Sequence, residues 1–296
     1  MQPSYNRSMT RWAFVLFPVL CFAQEPGPYH VEAISSKHKF LEGPVWSARD
    51  GYLLFADVPM NTIQKIDNKG MSMFREQSGG ASGNAFDDKG RLYTCETHAR
   101  RVSRTDKKGE VETLVDQFEG KKLNGPNDIT VTKHGHVYFT DPAFGSAVDR
   151  RELPFYGVFH VSPKGQVEAS LKLQTRPNGI VASPNGEILY VSNSDERNVR
   201  AYDITKDGTL QNERTFISNI VGVPGGVKVD DKGNVYVAAA EVLIFSPRGE
   251  SLGTLKIAEK PSNLVFGDGD LKALYITART TLYRVHLESS KGVALY

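Results

Sequence analysis

One unit recurs along this chain, and its repetition limits the possible folds more than any other feature. Six segments share a frame: LEGPVWSARDGYLLFADV from Leu41, GGASGNAFDDKGRLYTCET from Gly79, FEGKKLNGPNDITVTKHGHVYFTDP from Phe118, RPNGIVASPNGEILYVSNS from Arg176, VPGGVKVDDKGNVYVAAA from Val223 and KPSNLVFGDGDLKALYITA from Lys260. In each, a polar or glycine-bearing turn leads into a short alternating strand, a second tight turn and another strand. Gly51, Gly90, Gly135, Gly186 and Gly233 each lie eight residues after Gly43, Ser82, Asn127, Asn178 and Gly225 (51−43, 90−82, 135−127, 186−178, 233−225). In the sixth segment the same step from Ser262 reaches Asp270. An aromatic follows each turn, at Phe55, Tyr93, Tyr138, Tyr190, Tyr236 and Tyr275. Two further strands complete each unit, the first ending in turns such as IDNKG, TDKKG, SPKG and SPRG.

A repeat of roughly forty to fifty residues built from short strands indicates a β-propeller with one four-stranded sheet per blade. No such sheet can bury both faces alone, so the ring must close. The fold class expected is all-β: a six-bladed propeller around a central channel, one domain over residues 30–296. A spare strand near His30 to Ser35 is expected to pair with the last blade and close the ring. A β-sandwich is the alternative, but it gives no reason for a regular step of eight.

Residues 1–23 are expected to be a signal peptide. Arg7 and Arg11 precede the apolar run Trp12 to Ala23, too short to span a bilayer, with a small residue at the cut site after Ala23. The reading is an exported protein, periplasmic or extracellular, starting from Met1 or Met9 and mature from near Gln24. A first core strand or helix is the other reading of that run. With 36 basic and 34 acidic residues the chain offers no basic stripe for nucleic acid. No membrane contact is expected once the leader is cleaved, and a monomer acting on a small molecule is expected. The mature chain keeps only Cys95, so no intrachain disulfide forms. Cys95 reads as a small buried hydrophobe.

The starts of the innermost strands line the mouth of a propeller channel. The frame therefore gathers Glu42 or Gly43, Ser82, Asn127, Asn178, Gly225 and Ser262 there. Amide and carboxylate oxygens are hard ligands, suited to Ca²⁺ or Mg²⁺ more than to a soft metal. Asn178 alone, before Gly179, reads better as a turn residue. Glu42, Asn127 and Asn178 at equivalent points of three blades read better as a metal site.

The motifs LEGPVW, LNGPNDI with YFTDP, RPNGI with LYVSNS, GNVYVA with IFSPRG, and PSNLVFG with LYITA resemble the SMP-30/gluconolactonase/LRE-like family, from about Phe40 to Val285. The resemblance implies a six-bladed propeller with a divalent ion in its channel. Family members open sugar lactones or other lactones, or hydrolyse organophosphates. It implies that Glu42 and Asn178 are metal ligands and that Asn127 is a further ligand or substrate contact. The cofactor implied is one divalent cation, Ca²⁺ first, with Zn²⁺ or Mg²⁺ as alternatives. Two departures stand out. The fifth-blade Pro-Asp-Gly of the family, whose Asp is ligand and general base, is Pro224-Gly225-Gly226 here, and Ser82 stands where relatives have Asn.

With Gly225 at the base position, Asp128 and Asp141 are the remaining candidates to activate water, although strand alternation and a strand-end position favour structural roles for them. Ser82, Asn127 and Arg150 are candidate substrate contacts, the last on a loop expected to cover the mouth. Three functions compete: an exported metal-dependent lactone hydrolase; a non-catalytic or weakened propeller that binds a sugar acid or partner, because of Gly225; and a metal-free NHL-like scaffold. Gly225→Asp is expected to separate the first two by raising metal affinity and activity if the site is degenerate.

Overall fold

The computed structural model of the chain describes Met1 and residues 29–296; the expected leader, residues 1–23, lies outside the described residues. Six four-stranded antiparallel sheets follow one another in chain order. Blade one is Leu41–Ser47, Tyr52–Asp57, Thr62–Asp67 and Gly70–Arg75. Blade two is Ala81–Phe86, Leu92–Glu96, Arg101–Thr105 and Val111–Val115. Blade three is Ile129–Val131, Val137–Asp141, Tyr156–Val161 and Val167–Leu173. Blade four is Pro177–Ala182, Ile188–Asn193, Asn198–Ile204 and Leu210–Ile217. Blade five is Val227–Val229, Val235–Ala238, Val242–Phe245 and Ser251–Leu255. Blade six is Asn263–Gly267, Ala273–Ala278, Thr281–His286 and, on its outer edge, the N-terminal strand Val31–Ser35. This is the expected six-bladed propeller, and its closure is the expected one: Val31 pairs with Val285 and Ala33 with Tyr283. Sealing the ring with the N-terminal strand makes opening it cost the pairing of the last blade.

Each blade junction has its own apolar cluster. Leu54 and Ile63 meet Phe86 and Leu92 between blades one and two. Tyr93, Cys95 and Val102 meet Ile129 and Phe139 between two and three. Tyr138 and Val158 meet Ile180 and Tyr202 next, and Tyr190 and Val199 meet Val227 and Val235 after that. Tyr236 and Val242 meet Leu264 and Ile276, and Leu53 and Phe55 meet Tyr275 and Leu282 across the closure. The core is therefore a ring of interfaces. The aromatic after each turn is one of its repeating elements, which explains the sequence period. Cys95 is fully buried there, and burial pushes its thiol well above the ordinary value. That is the environment of an inert thiol.

Candidate metal and substrate site at the channel mouth

A hydrogen bond crosses every blade junction at the channel mouth. Asn84 Nδ2 donates to the Gly43 carbonyl at 2.9 Å and Gly83 N to the Asn127 carbonyl at 2.7 Å. Thr140 Oγ1 donates to the Asn178 carbonyl at 2.7 Å, and Gly179 N to the Gly225 carbonyl at 3.2 Å. Gly226 N donates to the Ser262 carbonyl at 2.9 Å, and Ser262 Oγ to the Leu41 carbonyl at 2.6 Å. These bonds tie the starts of the innermost strands into one collar. Whatever projects from the collar is held by backbone, which is how a site built on six separate sheets acquires fixed geometry.

The collar also decides which residue of each start points inward. In blades one, two and four the register slips between Glu42 and Val45, Ala81 and Asn84, and Pro177 and Ile180. Bulges of this kind re-aim side chains. Gly43 sits at φ +50, and a Cβ there would collide with the Ser82 carbonyl. Only glycine fits, and the side chain that faces the mouth in blade one is its neighbour Glu42. The step of eight falls on Gly43, one residue away from the group that reaches the cavity.

Glu42, Ser82, Asn127 and Asn178 line a single cavity of 390 Å³ with Phe40, Val58, Thr97, His98, Phe144 and Val223 among its walls. An adjoining cavity of 310 Å³ shares Phe40, Glu42, Asn178 and Val223 and adds Gly225 and Ser262. Both are within the size range of small-molecule sites. All six positions gathered from the sequence frame thus border one composite cleft. A 160 Å³ cavity at the opposite end of the channel, lined by Trp46, Phe86, Val131, Phe266 and the tail Val293 to Tyr296, has no Asp or Glu among the described residues of its wall.

Within the cleft the oxygens are specifically disposed. Glu42 is 9% exposed, and its Oε2 accepts Gly43 N at 3.2 Å and Asn263 Nδ2 at 3.3 Å. Oε1 has no hydrogen-bond partner among the described residues. Burial, and then the charge of Asp128, push the Glu42 carboxyl up to about 7. Asn178 Nδ2 donates to Ser194 Oγ at 2.9 Å and to the Pro224 carbonyl at 3.4 Å, and Asn127 Nδ2 approaches Ser82 Oγ at 3.5 Å. Both amide nitrogens are engaged, and neither carbonyl oxygen has a donor among the described residues.

The other candidates lie elsewhere. Asp128 is buried beneath the collar. Its Oδ1 accepts Ile129 N at 3.0 Å and its Oδ2 accepts Ile180 N at 3.2 Å, stitching blade three to blade four. Asp141 accepts Gly125 N at 2.7 Å and Asn124 N at 2.8 Å and fixes the turn before its blade. Its burial raises the carboxyl to about 6, against the pull of those two N–H groups. Neither Asp lines either cavity, and both accept from backbone, the structural role that strand position favours for them. Asp57 does the same for Lys39 N and Phe40 N in blade one. Arg150 is exposed at the end of a 3₁₀ turn, Gly145–Arg150, and does not line either cavity. The covering loop does reach the mouth, but through Phe144, Gly145 and Ala147.

Sequence reasoning assigned no role to His98. It is the one imidazole lining either cavity. It also missed Lys39, Lys260 and Arg279, which surround Gly225. Arg279 comes from the second strand's end in blade six and Lys39 from before blade one, so no repeat position links them.

Residues 40–280 match the family described as SMP-30/Gluconolactonase/LRE-like region. The chain belongs to that family. It is 32% identical to a gluconolactonase of Zymomonas mobilis, over 88% of this chain and 82% of that protein. It is 25% identical to a regucalcin of Bos taurus, over 80% and 82%. The solved gluconolactonase XC5397 of Xanthomonas campestris superposes with a TM-score of 0.82 at 29% identity, covering 90% of this chain and 91% of that one. The chain's own residues decide what the cleft now does.

Proposed function

We propose that this protein is an exported, divalent-cation-dependent hydrolase that opens a sugar lactone or similar cyclic ester. The observation that carries the reading is that Glu42, Asn127 and Asn178, each with an oxygen that has no donor among the described residues, line one cavity. The donor set fits a hard cation. A buried carboxylate held near neutrality by burial is stabilised by an adjacent positive charge, and two amide carbonyls add dipoles without further charge. Three protein oxygens leave half or more of the positions of a six- to eight-coordinate ion to water and substrate. Among the described residues there is no group of three His, Cys, Asp or Glu, so Ca²⁺ or Mg²⁺ suits the set better than Zn²⁺.

A bound cation would act as a Lewis acid on the lactone carbonyl. The chain's residues supply the rest. Ser194 and the Pro224 carbonyl hold the Asn178 amide nitrogen, which leaves its oxygen available to a ligand in the cleft. Phe40, Val58, Phe144 and Val223 give the cleft apolar walls that limit water. With Gly225 carrying no carboxylate and Asp128 and Asp141 committed to backbone, His98 is the group at the cleft left to take a proton from water.

Calorimetry with Ca²⁺ and pH-stat hydrolysis of glucono-δ-lactone test the reading. Micromolar to millimolar binding and a calcium-dependent rate, both lost in Asn178→Ala, are expected. No calcium binding and no hydrolysis would leave the second reading, a propeller that only binds a sugar acid, which Gly225 favours. The leader is tested by fractionation of the full-length chain, with a mature N-terminus near Gln24 expected.

A further inference from the structure

The part of the cleft around Gly225 has a charge opposite to that of a metal-binding wall. Lys39, Lys260 and Arg279 line the 310 Å³ cavity, and Glu42, shared with the neighbouring cavity, is the sole carboxylate in its wall. None of the three cations forms an ion pair among the described residues. The nearest acid of the same loop, Glu259, gives its carboxylate to Thr280 N at 2.9 Å and to Thr281 Oγ1 at 2.6 Å. Asp57 likewise accepts backbone, from Lys39 N.

Burial, and then the charge of the nearby Arg279 guanidinium, pull the Lys260 ammonium below its ordinary value. The Glu259 carboxylate feels the Arg279 charge but is committed to Thr280 and Thr281, and like charges held side by side weaken the fold unless a further anion joins them. Gly225 keeps the opposite wall free of a carboxylate that would neutralise them. It also keeps it free of any side chain, because a Cβ there would run into the Ser262 carbonyl.

We infer that the cavity bounded by Gly225, Lys39, Lys260 and Arg279 is a subsite for an anionic group of the substrate, a carboxylate, sulfonate or phosphate remote from the reacting ester. The substrate class is then an acidic sugar lactone, whose ring lies among Glu42, Asn127 and Asn178 while its charged end lies over Gly225. The inference rests on the hydrolase reading for the ring-opening step, though not for binding. Glu42 and Asn178 border both cavities, so one ligand can span them.

The test uses the full mature chain with calcium and measures binding of glucarate, gluconate and sorbitol by calorimetry. These share a six-carbon frame and carry two, one and no charges. Glucarate is expected to bind at least about tenfold tighter than gluconate. That preference should fall toward unity in Lys260→Gln with Arg279→Asn, a pair chosen because both side chains are exposed and Asn tolerates the positive φ at Arg279. Gluconate 6-phosphate and 6-deoxy-6-sulfogluconate in the same assay identify which anion fits best. Equal affinity for glucarate and gluconate, absence of binding by either, or a preference that survives the double variant would overturn the inference. Hydrolysis of glucono-δ-lactone without an anion preference would refute the subsite alone. An anion preference without hydrolysis of any lactone would keep the subsite and remove the hydrolase reading.

Discussion

Placing an aspartate at position 225 would add a carboxylate beside the cleft, and the structure predicts that it will damage the fold. Gly225 is clamped from three directions. Its N donates to the Ala238 carbonyl at 2.7 Å, and its own carbonyl accepts Ser192 Oγ at 2.6 Å and Gly179 N at 3.2 Å. The carbonyl a new Cβ would meet, that of Ser262, is held by Gly226 N at 2.9 Å, and Ser262 N is held by the Thr277 carbonyl at 2.8 Å. Blades five and six must therefore part by about 1 Å, an overpacking strain of about 1–3 kcal/mol. Relieving it by losing one of the collar bonds costs about 1 kcal/mol instead or in addition. Gly225→Ala should lose about 2–4 kcal/mol, seen as a lower urea midpoint at unchanged slope and a melting temperature lower by about 5–10 °C. Gly225→Asp should lose at least as much, and only the difference between the two variants reports the carboxylate's effect on calcium affinity. A Gly225→Ala protein within about 0.5 kcal/mol of wild type would refute the account of a collar that excludes side chains here.

Three further outcomes follow from the same geometry. The Glu42 carboxyl, ordinarily at 4.5 and raised to about 7, costs the metal-free protein nothing below pH 4.5, a rising amount between the two values and its full penalty above 7. That penalty is about 3 kcal/mol, so denaturation of calcium-free Glu42→Gln should match wild type near pH 4 and exceed it by about that amount at pH 8, whereas parallel pH curves would remove the burial argument. Asp128→Asn and Asp141→Asn should each lower stability by about 1–3 kcal/mol through poorly matched N–H groups, with kcat of the folded protein near wild type; a loss of kcat at unchanged stability would return them to the catalytic candidates. Deleting residues 29–35 removes the outer strand of blade six and leaves the Thr281–His286 edge open, so the protein should aggregate or unfold at lower denaturant, and a soluble monomer of unchanged midpoint would show that the ring closes without it.

The fold was legible because a propeller is built from local rules repeated. Turn glycines, period-two strands and an aromatic at a fixed offset recur, and each junction cluster draws on the same offset positions. Blade number, blade order and the closing strand His30 to Ser35 could all be read by counting. The mouth positions could be read too, since equivalent points of a ring converge whatever the side chains are.

What the sequence by itself determined was the ring and the residues that approach its axis. Tertiary structure decided which of them point inward and what surrounds them. The bulge at Gly43 turns Glu42 into the cleft, while Asp128, adjacent to Asn127, is turned beneath it to hold blade four. Neither result follows from spacing, because a one-residue slip reverses the facing of every side chain. The charge around Gly225 was equally hidden. Lys39, Lys260 and Arg279 come from three loops with no common offset, and only closing the first blade against the sixth brings them together. An absent carboxylate is visible in a sequence, but the cations that face the space it leaves are assembled by the fold.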